Sequence, residues 1–161
     1  MPKQQGAPKK IRPTKTADYL EVLTKAVFQS GISWRVIEAK WPGFREAFDD
    51  FDPAKIAGLS ERDVDRLATD TRVVRNRRKI EATVDNATEM LALEKEFGSI
   101  RKYLRSQGDF EATVADLRRR FRFIGDTSAY YCLHGVGEPV PPHEEWMARR
   151  ETKPRREPRR A

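Results

Sequence analysis

The sequence predicts an all-α fold, a single helical domain with flexible basic ends. Three observations carry that prediction. Apolar residues recur at three- and four-residue spacing in nearly every segment from residue 17 to 134. Helix-starting residues (Ser33, Asp52, Ser60) stand directly ahead of such segments, and Gly98 directly follows the longest one. No run alternates apolar and polar residues as a half-buried strand requires.

Taken in order, Tyr19, Leu20, Leu23, Val27 and Phe28 predict a helix over 17–30. Ser33 opens a second, with Trp34 in its first turn; Pro42-Gly43 is expected to interrupt it before a continuation to about residue 50. Asp52 caps a short helix begun by Pro53, a good first-turn residue. Ser60 and Asp63 resemble a capping box, with Asp in place of Glu or Gln, ahead of Val64 and Leu67. Ile80, Val84, Ala87 and Leu91 place the longest helix over 76–97. Further helices are predicted over 99–106, 111–121 and 127–134, after which the Gly- and Pro-rich stretch 135–142 ends regular structure.

The 161 residues suit one domain with a sizeable core. No apolar run approaches the roughly 20 residues that cross a bilayer. The basic start, MPKQQGAPKKIRPTK, has no apolar stretch behind it and does not read as a signal peptide. The single cysteine, Cys132, allows no internal disulfide and fits a reducing compartment, so a cytoplasmic location is expected, nucleoid-associated in a bacterium. The net charge of +7 divides into +5 over residues 1–15, +5 over 148–161 and −3 between them. The expected organisation is therefore a flexible basic tail over 1–15, a helical domain over 16–147 and a disordered basic tail over 148–161. Such tails either hold a polyanion by counterion release or are simply solvated ends. No membrane association is expected, and nothing suggests an obligate dimer, so a monomer is expected.

Two stretches carry candidate chemistry. In Phe28–Trp34, FQSGISW, a helix runs into a glycine turn and a Trp begins the next helix. That arrangement sets an aromatic plane beside a short protruding loop, although by spacing alone Trp34 reads first as a core aromatic and Ile32 as a buried turn residue. In residues 122–133, RFIGDTSAYYCL, an apolar-Gly turn leads into a helix whose first N–H groups are free to hold a phosphate. Two basic runs accompany them, at Arg72–Lys79 and at Arg118–Arg122.

The GISW turn, followed by WPGFREAFDDFDPAKIAGLSERDVDRLATDTRVVRNRRKIEATVDNA, resembles the type I 3-methyladenine DNA glycosylases, a branch of the helix-hairpin-helix DNA repair superfamily. The resemblance runs from about Ala17 to Ala87 and resumes more weakly from Phe123 to Gly135. It implies base flipping from double-stranded DNA and hydrolytic excision of an alkylated purine such as 3-methyladenine. It implies a base pocket with Trp34 as stacking surface, and Tyr130 and His134 fall where they would line that cavity. Gly31 and Ile32 would form the loop that enters DNA. Phe123, Gly125 and Thr127 would make the phosphate-holding hairpin, with Arg77, Lys79, Arg120 and Arg122 on the DNA backbone. Thr127 stands where bifunctional relatives carry a catalytic Lys, so no lyase step is expected. Ala26 stands where the family carries a pocket Glu; Glu38, one turn beyond Trp34, and Glu144, beyond the hairpin helix, are the candidate replacement acids. The family's amino-terminal Cys and His are missing, so no zinc and no other cofactor is expected. The alternative is a catalytically inactive DNA-binding protein that keeps the glycosylase fold.

Overall fold

The computed structural model describes residues 10–152, with side chains to 149. Most of both expected tails, residues 1–9 and 153–161, lies outside the described residues. The described residues form helices α1 (Thr16–Gln29), α2 (Trp34–Ala47), α3 (Pro53–Ala57), α4 (Glu61–Leu67), α5 (Arg77–Phe97), α6 (Ile100–Arg105), α7 (Phe110–Arg120), α8 (Asp126–Gly135) and α9 (His143–Thr152), with no strand among them.

The long helix α5 is the spine. It packs against α1, α3, α4 and α6, while α8 packs on the other side of α1 and carries α7. Helix α1 is thus covered on two sides, which explains why eight of its residues are buried, Tyr19, Leu20, Val22, Leu23, Thr24, Ala26, Val27 and Phe28. Leu20, Leu23, Phe28, Ile37, Phe44, Ile56, Ile80 and Leu93 form the centre of the core. The helix starts follow the local chemistry. Asp52 accepts from Ala54 N–H at 3.0 Å and Lys55 N–H at 3.3 Å. Ser60 and Asp63 complete their capping box reciprocally, with Ser60 N–H donating to Asp63 at 2.9 Å.

Two expectations need correction. Helix α2 is not interrupted at Pro42-Gly43 but runs through both to Ala47. The lost backbone bond at Pro42 is outweighed by anchors on either side. Trp41 donates its indole N–H to Glu21 at 2.8 Å, and its ring stacks with Phe44 at 4.7 Å and Phe51 at 5.2 Å. Gly43 is there for space: a Cβ would come within 2.5 Å of the Arg72 carbonyl oxygen. The chain after α2 turns through Asp49, Asp50 and Phe51 at φ 51°, 53° and 60°, and this left-handed turn delivers Phe51 onto Trp41.

The second correction is at the carboxyl-terminal end. Regular structure does not stop at residue 142, because α9 follows and spans the boundary expected at 147. Its apolar signal is a single buried residue, Trp146, too sparse to show as periodicity. A second structural device lies between α6 and α7, where the buried Tyr103 hydroxyl donates to Asp116 at 2.5 Å. Arg120 bonds the same carboxylate at 2.7 Å and Glu89 of α5 at 3.1 Å. Burial and that carboxylate raise the Tyr103 phenol far above its ordinary range, so it stays protonated.

Candidate base pocket and hairpin

The turn between α1 and α2 is written in short-range signals. Ile32 N–H donates to Gln29 O at 2.7 Å, and Gly31 between them takes φ 83°, a conformation that suits glycine and strains other residues. A Cβ there would meet nothing within 4 Å, so backbone conformation and not crowding demands the glycine, and the loop tip faces open space. Ser33 caps α2, its Oγ accepting from Val36 N–H at 3.3 Å. Trp34, first in the helix, turns inward and is only 5% exposed. Ile32 is half-buried against the core, while Val36, one turn further along, is 46% exposed.

A buried cation holds this turn. Lys79, expected at a DNA phosphate, instead donates its ammonium to Ser30 O at 2.6 Å and Phe28 O at 3.3 Å. These carbonyls end α1 and have no partner within the helix, and the cation also meets the negative end of the helix dipole. Burial pulls the Lys79 pKa below the ordinary lysine value. Lys79 therefore joins α5 to the loop that presents Trp34.

Trp34 packs into a cluster with Tyr130 and Tyr131 of α8 and Trp146 of α9. Its ring meets Tyr131 edge-on, with centroids 5.7 Å apart at 87°. Tyr130 and Tyr131 meet each other at 5.7 Å and 83°. Trp146 lies flat on Tyr130 at 5.6 Å and 14°, and His143 lies on Tyr131 at 5.8 Å and 27°. Tyr130 donates its hydroxyl to Pro141 O at 2.7 Å; Tyr131 Oη and His143 Nε2 are hydrogen-bonded at 3.0 Å. Burial raises the Tyr130 phenol pKa. His134 stands parallel to Tyr130 at 6.3 Å, and burial, followed by the charges of Lys10 and His143, holds its pKa below the usual histidine value. The indole N–H groups of Trp34 and Trp146 are buried without an acceptor. The cluster thus gathers flat aromatic rings and unused donors, the groups that stack and orient a heteroaromatic ring, although here the rings are buried against one another.

Glu38 is ion-paired with Lys25 at 2.7 Å, and that ammonium also stands over the Trp41 ring at 5.2 Å. Glu144 is exposed in the first turn of α9. Ala26 is buried on α1 and contributes only a methyl group. Cys132 is buried, its thiol pushed up to about 12 by desolvation, which keeps it protonated. No group of three or more His, Cys, Asp and Glu among the described residues is placed to hold a metal ion.

The hairpin joins α7 to α8. Asn86 of α5 holds it by its backbone, accepting from Arg122 N–H at 2.8 Å and donating to Arg122 O at 3.2 Å. Phe123 follows at φ 61° and is 39% exposed, a projecting aromatic on a strained residue. Gly125 precedes α8, whose N-terminus has no side-chain cap, and a Cβ on Gly125 would meet nothing within 4 Å. Thr127 stands in that open first turn. Asp126 beside it is paired with Arg118 at 2.9 Å, which offsets its charge. Of the expected backbone contacts, Arg77 pairs with Asp65 and Glu81, Arg122 with Asp85 at 2.6 Å, and Arg120 is engaged with Asp116 and Glu89. Arg77 and Arg122 are exposed, and such pairs are weak enough to exchange for a phosphate; Arg120 is half-buried and braces α7.

Sequence reasoning missed Trp146, the clamp Lys79 and the hairpin brace Asn86. For Trp146 the signal was present: Pro-Pro followed by His, Glu, Glu is a helix start with acids in its first turn. Nothing local marks Lys79 or Asn86, whose partners lie 49 and 36 residues away.

A family model described as methyladenine glycosylase matches residues 11–119. DNA-3-methyladenine glycosylase 1 of Escherichia coli (strain K12) is 40% identical over 130 residues, spanning 68% of this chain and 70% of that protein. DNA-3-methyladenine glycosylase of Haemophilus influenzae is 31% identical over the same length and shares. Among solved structures, 3-methyladenine DNA glycosylase I from Staphylococcus aureus superposes with a TM-score of 0.71 at 27% identity, over 80% of each chain. With its helices, turn and aromatic site arranged as described, this chain belongs to the methyladenine glycosylase family of DNA repair proteins.

Proposed function

We propose that the protein is a monofunctional DNA glycosylase that removes an alkylated purine, 3-methyladenine being the reference substrate. The observation that carries this reading is the placement of Trp34. It leaves a glycine turn that is free at its tip and packs against the helix that follows the hairpin. One rigid body thereby joins a loop that can enter the duplex, a stacking surface for the extruded base, and a row of open backbone N–H groups for a phosphate. The relatives' names point to the same substrate, and the S. aureus enzyme's structure concerns 3-methyladenine recognition.

In this reading the N9–C1′ bond breaks with its electron pair going to the base. The cationic N3-methylated purine leaves neutral, and water adds to C1′ and gives up a proton to solvent. A positively charged leaving group needs little proton transfer, so stacking and exclusion of water supply most of what the site contributes. Thr127 offers no amine, so the product is an abasic site without strand cleavage.

A second reading has its own support. Ala26 supplies no acceptor for the base, Glu38 is engaged by Lys25 and Glu144 faces solvent, which suits a DNA-binding protein that has lost turnover. Free-base release from N-methylated duplex DNA separates the two. Release that falls about 100-fold in Trp34→Ala, within the usual range of a lost stacking contact, supports the enzyme. No release by the wild-type protein, with salt-dependent binding to the same duplex, supports the binding protein.

A further inference from the structure

Helix α9 lies beyond the segment that the family model matches. It is also the one described helix that packs closely along no other. Its attachments include Trp146, flat on Tyr130 and edge-on to Phe110 of α7 at 5.2 Å, His143, stacked on Tyr131 and hydrogen-bonded to it at 3.0 Å, and Arg149, at 3.5 Å from Glu111 of α7. The two stacked rings cover the faces of the two tyrosines that, with Trp34, make up the aromatic surface. The cluster is consequently closed. Three surface clefts, of about 290, 640 and 380 Å³, have none of Trp34, Tyr130, Tyr131 and Trp146 in their walls.

We infer that Trp146 is a resident stand-in for the substrate base, and that α9 is a displaceable cover which must leave the aromatic surface before a purine can occupy it. The inference rests on the pocket reading above and adds how that pocket is regulated. Trp146 has the features of a flipped base, a flat heteroaromatic ring stacked on a tyrosine within an aromatic enclosure. Unlike a well-matched ligand, it leaves donors idle. The indole N–H groups of both Trp34 and Trp146 are more than nine-tenths buried and have no acceptor, so the closed arrangement forgoes hydrogen bonds that an open one regains from water. A purine carries ring-nitrogen acceptors that could meet Trp34, which Trp146 cannot do. The chain before α9 is held as far as Pro141, whose carbonyl accepts from the Tyr130 hydroxyl at 2.7 Å, so the part that must move is α9 itself, from Pro142 onward. An occupant that must be displaced weakens apparent ligand affinity by the fraction of time the site stands open.

The test is calorimetric titration of the full chain with free 3-methyladenine, for wild type, Trp146→Ala and Trp34→Ala. A parallel readout is the indole N–H resonance of Trp146 in wild type, assigned by Trp146→Phe. The expected result is about tenfold tighter binding by Trp146→Ala, as for a site closed about nine-tenths of the time. Binding by Trp34→Ala should be lost, and the wild-type Trp146 indole proton should begin to exchange with solvent as ligand is added. Binding by Trp146→Ala that is unchanged or weaker, while Trp34→Ala still abolishes it, makes Trp146 a fixed wall and overturns the cover but not the pocket. Absence of binding in both wild type and Trp146→Ala overturns the pocket and the cover with it. Should Trp146→Ala fail to fold, His143→Ala, which loosens α9 without removing the stand-in, must still tighten binding, and the indole signal must still open; failure of either rejects the cover.

Discussion

The two sides of the aromatic site are held in opposite ways. On one side Trp34 sits at a capped helix start, behind a glycine turn that Lys79 ties to α5 through two carbonyls. On the other side Trp146 sits on a short helix attached by ring faces and an ion pair at 3.5 Å. The first side lies inside the family match and the second outside it. The difference teaches that the wall presenting Trp34 is held by a buried cation from another helix, whereas the element covering the tyrosines is held mainly through ring faces.

Tryptophan truncations sharpen this contrast most. Trp41→Ala, in the fixed aromatic stack with Phe44 and Phe51, should lower unfolding free energy by about 3–5 kcal/mol, the usual cost of emptying a large core site. Trp146→Ala, equally buried, should cost no more than about 1.4 kcal/mol, the equivalent of the tenfold change in affinity, if α9 opens as a separate unit. Urea unfolding of the two variants decides it, and similar losses would join α9 to the core and erase the contrast. Lys79→Met should fall between them, at about 2 kcal/mol, because two carbonyls at the end of α1 lose a buried donor. Hydrogen exchange should then quicken at Gly31–Trp34 before it does in α8; uniform quickening would show that the clamp stabilises the whole domain and not the turn. Arg122→Gln should change stability least, within about 0.5 kcal/mol, because its pair with Asp85 is exposed. If Arg122 meets a phosphate, the slope of log affinity for duplex DNA against log salt should drop by about 1. An unchanged slope removes it from the interface.

Much of the fold could be read along the chain because its signals are local. Ser33, Asp52, Ser60 and Gly98 mark helix ends by hydrogen bonds that reach at most a few residues. The GISW turn could be read for the same reason, as glycine conformation and capping are decided within four residues. Pro42 misled because its local cost is real, and only the contacts of Trp41 with Glu21 and Phe51 outweigh it. The basic clusters could be read only as charge, since a run of cations says nothing of which acids will stand opposite. Lys79 is buried in a turn 49 residues away and Arg120 is engaged by Asp116 and Glu89, while Arg77 and Arg122 remain at the surface.

By itself the sequence determined the all-α class, the order and most boundaries of the helices, the turn that presents Trp34 and the family to which the chain belongs. These depend on backbone preference, capping and periodicity, interactions that close within one or two helical turns. Only the tertiary structure decided that Lys79 clamps the end of α1, that Asn86 holds the hairpin, that Glu38 pairs with Lys25, and that Trp146 lies on Tyr130. Each of these is a meeting of residues far apart in the chain, and burial, which fixes whether a charge is paired or a ring is stacked, is a property of the packed whole.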